Sequence, residues 1–255
     1  MSSITRGNKP GWKAWLLAAA TWLFVWSLAS WRLDLPLLLP GPGAVFRRLA
    51  QLAGQGFFWE SVCRSLGHIL GGFVLGLAVG GGLAAAAFVC RFVRALVQLP
   101  LALVKAAPVT SFVILALVWL PARRLSLFIA FLMTTPLAYE NIVQGLAAAD
   151  PLLLEMAQVY RFSRRQVFRH IYLPALRPYG LAALRAGLGF AWKAGAAAEA
   201  LAVSAGTIGG QLYNAKVALE TVDLFAWTAA IILLSLAMEK GASALIDRGA
   251  GKGAP

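Results

Sequence analysis

Long apolar segments alternate with shorter polar, basic or glycine- and proline-rich stretches along the 255-residue chain. Each apolar segment has about 20 residues or more, which is the length an α-helix needs to cross the hydrocarbon of a bilayer. The segments lack the alternating pattern of barrel strands, so they are expected to be helices. The sequence predicts six crossings, at residues 13–31, 62–89, 98–120, 125–146, 178–204 and 222–246.

The composition agrees with a membrane protein and excludes an ordinary soluble domain. The chain is 60% hydrophobic and 13% charged, and its mean hydropathy is +0.74. A soluble core cannot bury that much apolar surface. The basic residues that give the chain its net charge of +13 lie between the apolar segments, where they set the topology of the chain in the bilayer. Membrane lipid is therefore an expected partner, and nucleic acid is not.

The first apolar segment has two interpretations. Basic residues precede it and Ser27 and Ala29 offer a small-residue cleavage site, as in a secretory signal. Its tryptophans favour a retained anchor, because such rings settle at membrane interfaces; they are Trp12, Trp15, Trp22, Trp26 and Trp31. We interpret the segment as a retained helix with the N-terminus in the cytoplasm, since the densest basic cluster, at 161–177, then also lies inside.

This topology divides the chain into five regions. They are a cytoplasmic N-terminus at 1–12, a first transmembrane helix at 13–31, an extracytoplasmic loop with an interfacial helix at 32–61, a permease core at 62–246 and a cytoplasmic tail at 247–255. A short helix after Pro42 has apolar residues at helical spacing, so it either lies in the outer interface or is a plain surface helix. The second crossing carries a glycine stripe, which permits close helix packing: Gly67, Gly71, Gly72, Gly76 and Gly80.

The longest polar interruption, 147–177, contains two helix starts. Asp150-Pro151 is an N-cap followed by a first-turn proline, and Ser163 with Gln166 forms a capping box. Leu173-Pro174 is expected to end the second helix. The sequence predicts two short amphipathic helices on the cytoplasmic side, which together could fill a groove in a partner.

This segment resembles the EAA loop of ABC importer permeases of the nitrate/sulfonate/taurine type. The family pattern is Glu-Ala-Ala, three residues, Gly, nine residues, Ile, one residue, Leu-Pro, and Glu155, Ala157, Ile171, Leu173 and Pro174 occupy matching positions. Further matches are Leu39-Pro40-Gly41-Pro42, Leu184-Arg185-Ala186, Ala191-Trp192 and Ala198-Glu199, so the resemblance covers about residues 36–248. Met156 replaces the middle alanine.

Arg161 stands where the family has glycine. Glycine suits a left-handed turn between two helices, and a larger residue there costs energy. Either Arg161 accepts that strain or a different turn joins the helices.

The resemblance implies the fold and the function. The expected fold is all-α, a type I ABC importer permease bundle of about six transmembrane helices with a cytoplasmic coupling-helix loop in the bacterial inner membrane. The implied function is to form the pathway for a small solute, such as a nitrate-, sulfonate- or taurine-like anion. The implied partners are cytoplasmic ABC ATPase subunits, a second permease subunit as homodimer or heterodimer, and an extracytoplasmic substrate-binding protein.

No catalytic site, metal site or cofactor is expected. The sequence has no G-x-x-x-x-G-K-[ST] loop to hold nucleotide phosphates, so an ATPase activity would reside in a partner subunit. Cys63 and Cys90 flank one helical segment and would lie about 40 Å apart, beyond disulfide reach. An ion-coupled secondary transporter is the alternative, although the sequence shows no internal match of the kind typical of that class, which has inverted repeats and two broken helices in matching positions.

Two sets of residues are candidates for function. The resemblance places the contact with the ATPase on Leu152, Glu155, Met156, Ala157, Val159, Arg161, Ile171, Leu173 and Pro174. Lys193 and Glu199 lie inside an apolar crossing, where a charge indicates a functional site. They line the translocation pathway or form buried structural pairs. Lys105 and Glu140 are expected to reach the interface by extending their side chains.

Overall fold

The computed structural model describes residues 12–251, with side chains as far as residue 244, and every regular element in this range is helical. The first six helices are α1 (Trp12–Leu33), α2 (Pro42–Ala53), α3 (Gly56–Val89), α4 (Arg91–Ala106), α5 (Val109–Ala116) and α6 (Ala122–Ala147). The others are α7 (Pro151–Val159), α8 (Arg164–Val167), a π-helical turn (Phe168–Tyr172), α9 (Leu173–Leu201), α10 (Ile208–Val217) and α11 (Thr221–Gly251).

Four helices within residues 12–251 are long and apolar enough to cross a membrane: α1, α3, α6 and the Thr221–Ala244 part of α11. The α4–α5 pair passes the same test together but bends by 103°. The predicted crossing 98–120 is therefore broken, because Pro108 holds Ala107 in an extended conformation. Helix α9 has 29 residues and is long enough to span a membrane. Because it contains several charged residues, it is not among the four helices that are also apolar enough. The predicted crossing 178–204 therefore stays a prediction.

Helices α3 and α6 pack closely against each other through the predicted glycine stripe. A Cβ on Gly72 would lie 2.1 Å from the Leu127 carbonyl oxygen, and one on Gly80 would lie 2.4 Å from the Thr135 carbonyl oxygen. Backbone atoms cannot move aside as a flexible side chain can. These glycines therefore let the two helices approach to backbone contact.

Helix α9 runs through the middle of the described bundle and packs against α3, α6 and α11. Its Trp192 ring is fully buried, and Nε1 donates a hydrogen bond to the Ile231 carbonyl oxygen of α11 at 3.0 Å. On the side of α9 that faces α3, Gly195 lets Ile69 approach the helix so closely that a Cβ at Gly195 would lie only 2.6 Å from it. The position of α9 is thus fixed by the Trp192 ring, which bonds to α11, and by the lack of a side chain at Gly195, which admits α3.

The predicted interfacial helix is α2, and it is docked onto the bundle. Val45 and Leu52 are buried, while Arg48 donates two hydrogen bonds to Asp223 of α11, from Nε to Oδ1 at 2.5 Å and from Nη2 to Oδ2 at 2.8 Å. These bonds raise the pKa of Arg48 above its usual value. Paired contacts of this geometry hold a helix in one orientation.

The structure describes the two ends of the chain only in part. Helix α1 buries no residue, and its Trp26 Nε1 donates to the Pro40 carbonyl oxygen at 3.0 Å. Helix α11 continues to Gly251, into the predicted tail 247–255. Residues 1–11 and 252–255, which contain most of the predicted cytoplasmic N-terminus and the end of the tail, lie outside the described residues.

We predict that Gly72→Ala destabilises the bundle, because the added Cβ meets backbone of α6. The matched control is Gly81→Ala, where no atom lies within 4 Å of the added Cβ. The expected loss is about 1–3 kcal/mol, typical of overpacking, with no loss for Gly81→Ala. Thermal unfolding of the purified protein in detergent measures both, and equal stability of the two variants would show that α3 and α6 do not pack this closely.

Candidate functional site

The first helix of the basic loop begins as the sequence predicts. Asp150 is the N-cap of α7, and its carboxylate accepts a hydrogen bond from the Leu152 N–H at 2.9 Å. Pro151 occupies the first helical turn, where its missing N–H costs nothing. The Asp150-Pro151 prediction is confirmed.

The second helix start is confirmed, but its predicted end is wrong. Gln166 Oε1 accepts from the Ser163 N–H at 2.8 Å and Ser163 Oγ accepts from the Gln166 N–H at 3.3 Å, which completes the capping box of α8. Leu173-Pro174 does not stop this helix: α8 passes through the π-helical turn directly into α9. A π turn before the proline accommodates its missing donor and its ring. The loop therefore consists of the short helix α7 and a continuous helical stretch in which α8 and the π-helical turn lead into α9.

Arg161 forms the left-handed turn that the sequence left undecided, with φ of 53°. The Phe162 N–H donates to the Ala157 carbonyl oxygen at 2.8 Å, and the Arg161 N–H donates to the Gln158 carbonyl oxygen at 3.1 Å. This pair of bonds is a Schellman motif, which normally has glycine at the left-handed position. Arg161 thus accepts the strain that glycine would avoid.

The predicted coupling residues divide into two groups by exposure. Ala157 and Ile171 are buried and pack with Leu154, Phe162, Val167 and Tyr172 into a small apolar core under the loop. The others are exposed: Leu152, Glu155, Met156, Val159, Arg161, Leu173 and Pro174. Buried members fix the shape of the loop, and exposed members are available to a partner.

An exposed apolar stripe follows one side of α7. Leu152 is 71% and Val159 is 79% exposed, with Met156 between them on the same side of the helix. Glu155 lies next to this stripe, and within the described residues no salt bridge joins it to Arg161, Arg164 or Arg165. The carboxylate is therefore not occupied in balancing the arginines of its own loop.

The structure separates the two charged residues predicted for α9. The Lys193 side chain is 68% exposed, whereas Glu199 is 0% exposed. Six residues correspond to about 240° of helical rotation, so the side chains leave α9 in different directions. They do not form one site.

Glu199 links three helices. Its Oε2 accepts from Ser65 Oγ of α3 at 2.7 Å and from the Gly209 N–H of α10 at 3.3 Å. Ser65 Oγ in turn accepts from the Ile208 N–H at 3.0 Å. Because a carboxylate is favourable at the unpaired N–H groups of a helix N-terminus, Glu199 holds the start of α10 against α9 and α3. Sequence reasoning missed Ser65 and Thr207, although Thr207 before Ile208-Gly209-Gly210 is a recognisable N-cap signal.

Lys193 has its partner on α11. Its Nζ lies 3.8 Å from Glu239 Oε1. The carboxylate of Glu239 lies against the backbone of α9 at Gly189, where a Cβ would be only 2.5 Å from Oε1. A cavity of about 400 Å³ opens beside this pair and is also lined by Arg185 and Phe190.

A second lysine–glutamate pair lies nearby. Lys105 Nζ and Glu140 Oε1 are 2.5 Å apart, so these residues pair with each other instead of extending separately to the interface. They line a cavity of about 280 Å³ together with Phe190, which also lines the Lys193 cavity. We call Lys105, Glu140, Phe190, Lys193 and Glu239 the charged face. Charges within membrane segments are stable when they pair and face protein or water.

The fold, the structured basic loop and the charged face define a multi-pass helical membrane protein of a transport class. Residues 69–239 match the family model described as the inner membrane component of binding-protein-dependent transport systems. The chain belongs to this family and is a multi-pass transport permease of the inner membrane.

Named relatives agree with this family. The taurine transport system permease protein TauC of Escherichia coli (strain K12) is 29% identical over 88% of this chain and 83% of its own length. The putative aliphatic sulfonates transport permease protein SsuC of the same organism is 29% identical over 82% of each chain. A probable ABC transporter permease protein of Brucella melitensis biotype 1 is 28% identical over 80% of this chain and 83% of its own.

We predict that Arg161→Gly stabilises the protein by about 1 kcal/mol, since glycine adopts the left-handed conformation without steric cost. The control is Arg164→Gly in the first turn of α8, where the backbone is helical and glycine is expected to be unfavourable. Thermal unfolding in detergent compares the two variants. A lower stability for Arg161→Gly than for the unchanged protein would mean that the arginine side chain contributes more than the strain costs.

We predict that Glu199→Ala lowers stability by about 1–3 kcal/mol, because the buried Ser65 hydroxyl and Gly209 N–H lose their acceptor. Glu199→Gln keeps an oxygen acceptor of the same shape and is expected to cost less. Unfolding measurements on both variants test this. Full stability of Glu199→Ala combined with loss of transport would instead make Glu199 a residue of the pathway.

Proposed function

We propose that this chain is the transmembrane subunit of an ATP-driven importer, and that it forms half of the pathway for a small sulfonate-type anion such as taurine. The relatives named for taurine and aliphatic sulfonates support the substrate class. The charged face supports the pathway, because exposed charges at membrane depth need water or a second protein surface. A second permease subunit, as homodimer or heterodimer, completes the route.

The pathway role belongs to Lys193 and not to Glu199. Lys193 is exposed on the charged face, next to a cavity, whereas every hydrogen bond of Glu199 described above holds α10 in place. A cation at the cavity wall favours an anionic solute over a cationic one. All four charges of the face are paired within the chain, and the Lys193–Glu239 contact, at 3.8 Å, is longer than the Lys105–Glu140 contact.

Energy comes from a separate ATPase, which contacts the exposed stripe of α7. An apolar stripe beside a basic surface is unfavourable in water and favourable in a groove of a partner. The small apolar core under the loop connects α7, which bears the stripe, to the start of α9. Displacement of the stripe would therefore move α9, the helix that bears Lys193. An extracytoplasmic binding protein delivers the solute to the opposite side.

The test is uptake of radiolabelled taurine into proteoliposomes that contain the assembled permease, ATPase and binding protein. We expect uptake that requires ATP on the side of the liposome membrane where the ATPase is bound. The same uptake is expected to continue when ionophores collapse ion gradients. Uptake that needs an ion gradient and no ATP would establish the rival function, an ion-coupled secondary transporter.

We predict that Glu155→Lys weakens binding of the ATPase or uncouples hydrolysis from uptake while the bundle stays folded, because it places a like charge beside an already basic loop. Gln158→Lys on the same helix is the control, since its side chain lies farther from the stripe. ATPase pull-down and binding-protein-stimulated hydrolysis in liposomes measure the effect. Normal values of both for Glu155→Lys would remove this residue from the mechanism.

A further inference from the structure

Three cavities adjoin one another along the charged face and form one row. Lys105 and Glu140 line both the cavity of about 280 Å³ and a larger one of about 830 Å³ between α4 and α6. Phe190 lines both the cavity of about 280 Å³ and the one beside Lys193. At the far end of the row, the polar side chains that line the large cavity are those of Arg94, Gln98 and Gln144.

We propose that Arg94, Gln98 and Gln144 form an anion subsite at this end of the row, which takes a small oxyanion such as a sulfonate. This proposal rests on the proposed function and specifies where within the chain the transported anion is held. None of the sequence motifs includes these three residues.

Arg94 is the cation of the large cavity that lacks a counter-charge. Lys105 and Glu140 pair with each other, so their charges cancel. No ion pair or side-chain hydrogen bond joins Arg94 to another residue whose side chain the structure describes. The lining has two positive charges and one negative charge, so its net charge of +1 belongs to Arg94. A positive cleft attracts anions and repels cations.

Helix α4 carries its polar side chains on the side that lines the cavity. Arg94, Gln98 and Lys105 are separated by four and seven residues, which places them on one side of the helix. An amphipathic helix of this kind separates a polar space from an apolar one. The opposite side of α4 carries exposed apolar side chains: Phe92, Leu96, Leu99 and Leu103.

The donors around the cavity suit an oxyanion. A guanidinium presents five N–H donors in one plane, and each side-chain amide presents two. Gln98 comes from α4 and Gln144 from α6, so the donors stand on two walls of the cavity. A sulfonate spreads one negative charge over three oxygens and can accept from several donors at once. One cation with neutral amides holds the anion weakly enough to release it, as a transport route requires.

The Arg94 end of the row lies at the same end of the bundle as the basic loop. Phe88, close to the end of α3, and Tyr172 of the π-helical turn have ring centroids 5.4 Å apart. Arg94 is the fourth residue of α4, which begins directly after α3. An anion in the subsite is therefore on the side where the ATPase is proposed to bind, which in an importer is the side on which the solute leaves.

The competing explanation is an arginine that only fixes topology by contact with lipid phosphate. Such an arginine would not discriminate between solutes in the cavity. Its neighbour Arg91 would then have the same effect as Arg94. Arg91 is exposed on the same helix and does not line the cavity, so it is the matched control.

Thiol labelling of the assembled permease–ATPase complex measures anion access without requiring transport. The native thiols Cys63 and Cys90, both exposed and unpaired, are removed by Cys63→Ser and Cys90→Ser. Ala102→Cys introduces a thiol at an exposed position of the cavity wall. Two probes are compared by rate: 2-sulfonatoethyl methanethiosulfonate, which is itself a sulfonate, and the cationic 2-(trimethylammonium)ethyl methanethiosulfonate.

We predict that Arg94→Gln lowers the ratio of the sulfonate rate to the cationic rate by about tenfold, the scale of charge focusing in a cleft. Arg94→Lys keeps the charge and is expected to keep most of the ratio, and Arg91→Gln is expected to leave it unchanged. Sodium methanesulfonate should lower the ratio more than sodium chloride at the same ionic strength, because three oxygens engage more donors than one ion. This difference should vanish in Arg94→Gln.

The surroundings of the complex separate a solute from a lipid headgroup as the source of the oxyanion. The ratio is measured in an uncharged maltoside detergent, which contains no phosphate, and in nanodiscs of phosphatidylglycerol. A solute subsite keeps its dependence on Arg94 in both. Loss of that dependence in the nanodiscs would show that a lipid phosphate occupies Arg94, and it would overturn the solute subsite.

Three further results would overturn the subsite. They are an unchanged ratio in Arg94→Gln, an equal fall in Arg91→Gln, or equal effects of the two salts. If Arg94→Gln fails to assemble, Gln98→Glu decides the question, because it places a carboxylate one turn from Arg94 and should lower the ratio in the same way; an unchanged ratio there would also overturn the subsite.

The subsite and the proposed function can fail separately, because labelling needs no ATP. Charge selectivity that depends on Arg94, without ATP-driven uptake of taurine, would leave the subsite standing and reject the proposed function. ATP-driven uptake without this selectivity would do the reverse.

Discussion

The cost of placing a charge in hydrocarbon organises the interior of this protein. A membrane-spanning helix satisfies its own backbone, but every ionised side chain at that depth needs a counter-charge, a hydrogen-bond donor or water. Three solutions occur around α9: Glu199 is buried and accepts hydrogen bonds from α3 and α10, Lys105 pairs closely with Glu140, and Lys193 faces a cavity beside Glu239. The degree of closure differs: Glu199 is fully buried, whereas the Lys193 side chain is exposed.

Close helix packing determines where those charges stand. Gly72 and Gly80 bring α3 against the backbone of α6, and Gly195 admits Ile69 of α3 to α9. With these helices in direct contact, the Trp192 ring fills the remaining space and bonds to α11. Small residues thus fix the inner sides of α9, and the side with Lys193 is left facing the cavity.

The basic loop is an ordered structure that is fixed at both ends of α7 and by its own apolar core. Its α7 is capped at Asp150, ends in a Schellman motif at Arg161, and rests on a core that contains Ala157 and Ile171. The α8 segment continues without interruption into α9. Packed side chains and one continuous helix therefore connect α7 to the part of α9 that bears Lys193, as the proposed coupling to a separate ATPase requires.

The sequence by itself determined the class, most of the helices and both caps of the loop, because hydrophobic length, proline, glycine and capping residues act locally. Only the tertiary structure decided which of the charged residues is exposed and which is buried. Lys193 and Glu199 look equivalent along the chain, but rotation of α9 exposes one and buries the other against Ser65, which lies 134 positions away. The bend before α5, the uninterrupted passage past Pro174 and the pairing of Lys193 with Glu239 depend on neighbouring helices in the same way, and no local pattern carries that information.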